Sequence, residues 1–150
     1  MYVAEIDLAN AVLLGINRTP KKPDDIDLYA GAYARVADAA TTGGKSAVFI
    51  MIPEPGYPSP NSAERHRYAA LKDGWSSPNL FILVTRSALL RGVMTAVSWL
   101  SPFTERQRAV ACESFADVLV EVGRYRGDAV RPLQRMYATL YGRLDRRASV

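Results

Sequence analysis

The strongest hydrophobic signals in the chain are two short runs in which every residue is apolar. One covers Ala47–Ile52 and the other Leu80–Val84. A strand with one solvated face alternates apolar and polar residues, so unbroken runs of this length are typical of strands buried on both faces. The two runs therefore predict adjacent central strands of a sheet that helices cover on its two faces.

The N-terminal segment has the alternating pattern of a half-buried hairpin. Tyr2 to Leu8 predicts the first strand and Ala11 to Ile16 the returning one. Ala9-Asn10 is predicted to form the tight turn, because asparagine tolerates the left-handed backbone that hairpin turns require. Gly15 indicates either a bulge or a close approach of another group to the backbone.

Apolar residues at helical spacing predict helices between and after the strands. The first follows the acidic residues Asp24 and Asp25, the second has Ser59 as N-cap and Pro60 as first helical residue, and the third has Ser87 as N-cap. The stripe that we expect the third helix to turn towards the sheet is Leu89, Leu90, Val93, Val97 and Leu100.

Residues 104–122 allow two interpretations. Thr104 and Gln107 have capping-box spacing, and apolar residues continue at helical period, so periodicity favours one long helix. The alternative is a short strand from Arg108 to Cys112, followed by a helix with Ser114 as N-cap.

The order of these elements resembles that of the small STAS-like domains, the fold of anti-sigma-factor antagonists. The resemblance covers residues 1–122. It is carried by the segments MYVAEIDLANAVLLGI, SAVFIMI and NLFILVTRSALLRGVMTAVSWL, and RAVACESFADVL is similar to the last strand and last helix of that family. It implies an α/β fold with an N-terminal hairpin and a mixed sheet, and it favours the strand interpretation of 104–122. Residues 123–150 would then be a basic helical extension of the same domain.

The resemblance also implies a function, namely a regulatory module that binds another protein and catalyses no reaction. In the antagonists a phosphorylatable serine follows an aspartate at the start of the helix after the middle strand. Here that place holds PEPGYPSPNSAERHRY, in which Ser59 and Ser62 lie without a preceding aspartate.

Composition narrows the classes of function. The chain has 150 residues, 49% of them apolar and 23% charged, which suits one soluble domain. Glu5 and Asp7 interrupt any secretory signal, and no apolar run approaches the ~20 residues of a membrane span. A single cysteine, Cys112, excludes an internal disulfide and fits the cytoplasm, and with one histidine it argues against a zinc site. We expect no cofactor.

The positive charge is concentrated at the C-terminal end. Residues 124–150 hold seven arginines and two aspartates, a balance of +5, against +4 for the whole chain. Arginines flanking an amphipathic helix fit a solvated face, and the tyrosine pairs Tyr29 with Tyr33 and Tyr137 with Tyr141 fit packing better than base stacking. Nucleic-acid binding is therefore not favoured.

One candidate binding site follows from the sheet. If the two central strands are parallel, their carboxyl ends bring Glu54, Ser59 and Ser62 close to Arg86 and Ser87. Serines and an arginine at helix N-termini suit an anionic group, although capping alone also accounts for the serines. This pocket supports the alternative function, a small-ligand or anion sensor or a minor enzyme. No nucleophile elbow, phosphate-binding loop or metal-binding helix is present, so no catalytic residue is predicted.

The last predicted helix supplies a candidate interface. Its apolar stripe is Leu133, Met136, Tyr137, Leu140, Tyr141 and Leu144. A lone helix of this length is marginal in water, so the stripe must pack on its own domain or on a second copy. The break from Gly123 to Asp128 favours the second copy, and hence a homodimer.

Overall fold

A computed structural model describes residues 1–75, 77–100, 102 and 104–148, with side chains up to Arg146. The described residues form an α/β fold, as predicted, in which helices cover both faces of one mixed sheet. The strands, in their order across the sheet, are β1 (Tyr2–Asp7), β2 (Val12–Asn17), β3 (Ala47–Pro53), β4 (Asn79–Val84) and β5 (Gln107–Cys112). The helices are α1 (Asp25–Gly43), α2 (Ser62–Asp73), α3 (Ala88–Leu100), α4 (Phe115–Tyr125) and α5 (Val130–Ala148), with a 3-10 turn at Gly127–Ala129.

The sheet confirms the prediction from the two apolar runs. β3 is the central strand, and it pairs in parallel with β2 on one side and β4 on the other. β5 is also parallel, whereas β1 is antiparallel to β2. The carboxyl ends of four strands therefore meet at one edge, which is where open α/β sheets bind ligands.

Both faces of the central strands are buried, which explains why their sequences do not alternate. On one face α4 and α5 pack over residues such as Ile50 and Ile82. On the other face Tyr33 and Val36 of α1 pack over residues such as Phe49, together with parts of α2 and α3.

The predicted hairpin is present, but its turn differs in detail. Ala11, not Asn10, takes the left-handed conformation, with φ at 53°. Asn10 instead donates hydrogen bonds to the Asp7 carboxylate from its backbone N–H and its side-chain amide. Gly15 marks a close approach and not a bulge: it pairs in regular register with Ala4, and a Cβ there would lie 2.5 Å from Tyr2 Oη.

Residues 104–122 follow the strand interpretation, so periodicity alone gave the wrong answer. β5 pairs with β4, and a buried central strand needs such a partner for its backbone groups. Ser114 is the N-cap of α4, accepting a hydrogen bond from Asp117 N–H at 3.2 Å. The Thr104 and Gln107 pair does not start a helix: Thr104 N–H donates to Gln107 Oε1, and Gln107 is the first residue of β5.

The apolar stripe of the last helix lies in the core of its own domain. Leu133, Met136, Leu140 and Leu144 are buried against the chain's own sheet, and Tyr137 and Tyr141 pack at the margin of the same core. The 3-10 turn brings α5 back across β1 and β2, and the Arg126 guanidinium fixes that turn by donating to the backbone oxygens of Ser46 and Asn10. The stripe is therefore covered without a second copy.

Of the two predicted serine caps, one is wrong and one is confirmed. Asn61, not Ser59, is the N-cap of α2, in a reciprocal capping box with Glu64. Ser87 does act as a cap, since its Oγ accepts a hydrogen bond from Leu90 N–H at 3.3 Å.

The stripe predicted for α3 is only partly correct. Leu89 and Leu100 are exposed, and no residue of α3 is fully buried. Leu90 and Met94 pack against the α1 side of the sheet, but α3 does not close tightly over it.

Candidate ligand-binding cavity

The predicted site residues lie at the predicted edge of the sheet, but they are engaged separately. Glu54 follows β3, and its Oε2 is 2.7 Å from Nε of Arg18. Arg86 and Ser87 are exposed between β4 and α3, where Ser87 caps the helix. Within the described part of the chain, no hydrogen bond or ion pair joins them to Glu54, and the charge of Glu54 is already balanced.

The two predicted serines, Ser59 and Ser62, also make no side-chain hydrogen bond to Glu54, Arg86 or Ser87 within the described residues. Ser59 is half-buried ahead of the α2 cap, and Ser62 is the exposed first residue of α2. Among the described residues, no hydrogen bond or ion pair joins the five predicted residues to one another.

A cavity of about 110 Å³ lies beside this edge, between the sheet and helices α1, α2 and α3. Its floor consists of alternate strand residues that point to one face, among them Asn17, Met51, Pro53, Phe81 and Leu83. Its walls consist of tyrosines from α1, α2 and the loop after β3 and of apolar residues of α3: Tyr29, Tyr33, Tyr57, Tyr68, Leu90, Val93, Met94 and Val97. The incomplete docking of α3 leaves this space open.

Tyrosine rings form the main wall of the cavity. Tyr29 contacts Tyr68 edge-on with ring centroids 5.5 Å apart, and Tyr33 stacks on Phe49 at 4.1 Å. The hydroxyls of Tyr29 and Tyr33 make no hydrogen bond to any described residue, although both side chains are buried. Both therefore offer polar atoms to the cavity within an aromatic surface.

These tyrosines stay neutral at physiological pH. Burial raises the pKa of Tyr29 and of Tyr33 well above the usual value near 10. Burial, reinforced by the carboxylates of Glu64 and Asp25, raises the pKa of Tyr68 to about 12. The wall thus contains hydroxyl donors and acceptors without charge.

Asn17 is a buried polar residue in the floor of the cavity. It is 4% exposed, and its backbone oxygen accepts a hydrogen bond from Glu54 N–H. Its side-chain amide lines the cavity and makes no hydrogen bond within the described residues. Because Asn17 lines the cavity, a molecule bound there can supply the hydrogen bonds that this amide lacks.

The polar groups at the opposite end of the cavity have hydrogen-bond partners within the chain. The Asn79 amide donates to the backbone oxygen of Ser77 at 3.0 Å. Lys72, although buried, donates from Nζ to the Pro102 oxygen at 3.0 Å and approaches the Asp73 carboxylate. Gln107 donates to the backbone oxygens of Lys72 and Trp75, which holds this end of the cavity in place.

The loop after β3 closes the end near Asn17. Tyr57 donates from its hydroxyl to Oδ2 of Asp25 at 3.1 Å, and Lys21 pairs with Glu64 at the start of α2. These two contacts connect the loop after β3 and the start of α2 to α1 and to the residues that precede it.

Sequence reasoning identified this edge of the sheet but missed the residues that matter there. Tyr29 and Tyr33 were correctly predicted to pack, yet their spacing gives no sign that their hydroxyls stay unpaired. Asn17 could have been noticed, since it follows the apolar strand Val12–Ile16 at a position facing the same side as Leu13.

Within the described residues, no group of three His, Cys, Asp or Glu side chains is placed to hold a metal ion. Nor does that part of the chain contain a helix with the length and apolar character to cross a membrane. Comparisons with models of protein families, with curated proteins and with solved structures gave no significant match.

Proposed function

We propose that this domain binds a small, mainly apolar molecule in the tyrosine-lined cavity, and that recognition of this molecule is its biochemical role. The supporting observation is the cavity itself, which combines apolar and aromatic walls with a few converging polar atoms. That combination is typical of small-molecule sites. An engineered protein cavity of about 150 Å³ takes up benzene, so a space of this order suits a single ring.

An anionic ligand fits the cavity less well. Arg86, the cation of the predicted anion site, is exposed and does not line the cavity. Lys72 does line it, but its ammonium already contacts the Pro102 oxygen and the Asp73 carboxylate. A buried anion without a partner is strongly disfavoured.

Helix α3 offers a route of access. It forms one wall through Leu90, Val93 and Met94, yet none of its residues is fully buried. Displacing such a helix exposes less apolar surface than displacing a core helix, so the outward movement of α3 costs comparatively little.

Toluene titration tests this proposal. We expect calorimetry to detect saturable binding to the native chain, and Val93→Phe to abolish it by filling the cavity. Leu89→Phe is the matched control on the same helix, because Leu89 is 69% exposed, and it should leave binding intact. Absence of binding, or equal binding by both variants, would contradict the proposal.

A second candidate is the STAS-like interaction module, which we retain because of the outer surface of α3. Leu89, Trp99 and Leu100 expose large apolar side chains there, with Trp99 at 80%. Such residues favour a partner surface, and a second copy of the chain is the partner that can be tested directly. Sedimentation should then show a dimer that Trp99→Ser weakens; a monomer at high concentration would argue against it. The single buried Cys112 is consistent with the cytoplasmic location that we propose for such a module.

A further inference from the structure

We propose that the cavity selects an uncharged aromatic molecule carrying one carboxamide-like group, which pairs with the side chain of Asn17. This inference rests on the proposed function and adds the chemistry of the ligand. The polar group of the ligand would lie at the end of the cavity near the loop after β3, and its ring would lie against the tyrosine wall.

The side-chain amide of Asn17 is the polar group that we expect the ligand to bond. Asn17 is 4% exposed, faces the cavity and has no side-chain partner among the described residues. An amide offers both a donor and an acceptor, so a primary carboxamide can satisfy it with two reciprocal hydrogen bonds. A ligand with only a donor or only an acceptor leaves half of the Asn17 amide unpaired.

Lys72, the cation that lines the cavity among the described residues, lies at the end opposite Asn17. Asn17 pairs across the sheet with Pro53, whereas Asn79, beside Lys72 in the lining, pairs with Ala47. These positions are six residue steps apart along β3, about 20 Å at the usual rise per residue. The Lys72 ammonium bonds the Pro102 oxygen and lies beside the Asp73 carboxylate, so it is already engaged away from Asn17.

The carboxylates near Asn17 are also occupied. Glu54 pairs with Arg18, Asp25 accepts the Tyr57 hydroxyl, and Glu64 pairs with Lys21. A cationic ligand thus finds no unpaired carboxylate among these three, and the cations Arg18 and Lys21 are engaged by Glu54 and Glu64. Burying either charge without a partner is costly, so the site favours a neutral molecule.

The tyrosine wall suits an aromatic ring. Tyr29 makes T-shaped contacts with Tyr2 and with Tyr68, with ring centroids 5.8 Å and 5.5 Å apart. An aromatic ligand beside Asn17 extends this arrangement, and such ring contacts add to the effect of apolar burial. An aliphatic amide of similar size lacks that contribution.

The test compares three probes of similar size by calorimetry on the full chain: toluene, benzamide and benzoate. We expect benzamide to bind about tenfold more tightly than toluene, the effect of two net hydrogen bonds. Benzoate should bind more weakly than either. Asn17→Ala should remove the advantage of benzamide over toluene while leaving toluene binding, and Gln134→Ala, on the opposite face of the sheet in α5, should change neither.

The outcomes separate this inference from the proposed function. Equal affinities for toluene and benzamide, or a benzamide advantage that survives in Asn17→Ala, would overturn the role of Asn17 while leaving the cavity proposal intact. Tightest binding of benzoate would overturn the preference for neutral ligands. Failure of both toluene and benzamide to bind would reject the cavity itself. The probe ranking on the unmodified chain stands even if the variant does not fold.

Discussion

The hydroxyl of Tyr57 donates a hydrogen bond to the buried carboxylate of Asp25 at 3.1 Å, joining the loop after β3 to the first turn of α1. The same carboxylate accepts the backbone N–H groups of Tyr2 and Lys22 and lies 3.0 Å from the Met1 amino group. Asp25 therefore connects the first strand, the first helix and the loop that closes the cavity.

The stability of the fold should depend on pH through Asp25. Burial by itself disfavours the charged carboxylate, but the hydrogen bonds from Lys22 and Tyr2 and the nearby Met1 amino group lower the pKa of Asp25 below its usual value near 3.8. A group whose pKa is lower in the folded state contributes stability above its unfolded pKa, and this is lost as the pH falls through the folded pKa. We expect the free energy of unfolding to fall below about pH 4. Chemical denaturation between pH 2 and 6 measures this, and Asp25→Asn should flatten the acid limb; an unchanged limb would contradict the prediction.

Gly15→Ala should destabilise the protein by about 1–3 kcal/mol. The new Cβ would lie 2.5 Å from Tyr2 Oη and 2.6 Å from Tyr2 Cε2, so the buried Tyr2 ring must move. Gly142→Ala is the control: it lies in α5, no heavy atom is within 4 Å of its added Cβ, and alanine favours a helix. Urea denaturation should show a loss for the first variant and no loss for the second. Equal effects would mean that Tyr2 does not pack on this glycine.

The two asparagines of the cavity should respond differently to the same substitution. Asn17→Val removes an amide that has no hydrogen-bond partner among the described residues but is open to the cavity, and it should change the free energy of unfolding by no more than about 0.5 kcal/mol. Asn79→Val removes an amide that bonds the Ser77 oxygen, and should lower the free energy of unfolding by about 1 kcal/mol. Thermal and urea denaturation of both variants measure the difference. Destabilisation by Asn17→Val as large as that by Asn79→Val would show that Asn17 has a partner in the free protein.

The position of α5 predicts a strong contrast between two leucines. Leu140→Ala should cost about 2–5 kcal/mol, because Leu140 is 2% exposed in the core against the sheet. Leu89→Ala on α3 should stay within about 0.5 kcal/mol, since that side chain is largely exposed. If the two variants lose equal stability, α5 is not part of the folded core in solution.

The sequence predicted the sheet better than the helices around it. The two buried strands could be recognised from sequence alone. Only strands covered on both faces are apolar throughout, as Ala47–Ile52 and Leu80–Val84 are. Cys112 and Phe115 lie in a segment whose periodicity fits a helix. Residues Gln107–Cys112 nevertheless form a strand, because β4 needs a second partner for its backbone groups, and this requirement comes from tertiary structure. The packing of Leu144 also depends on tertiary structure. Its apolar stripe could pack on the sheet or on another copy, and the course of the chain after Gly127–Ala129 brings it to the sheet.

The site was predictable only in its location. Parallel strands bring the residues after β3 and β4 to one edge, and the sequence indicates that much. Whether Ser59 or Asn61 caps α2 depends on backbone geometry, and the space beneath α3 depends on how far that helix stands from the sheet. A volume left unfilled by packing has no signature in residue spacing, so the cavity and the unpaired amide of Asn17 emerge only in three dimensions.

The measurement that tests the central proposal most directly is an NMR experiment on the chain saturated with toluene. Nuclear Overhauser contacts from the toluene methyl protons report which side chains lie next to the ligand. A ligand in the cavity should give contacts to Tyr29, Tyr33, Tyr68 and Met94, all of which line it. Contacts confined to Leu89 and Trp99 on the exposed surface of α3, or no contacts at saturating toluene, would contradict the proposal that this cavity is the binding site.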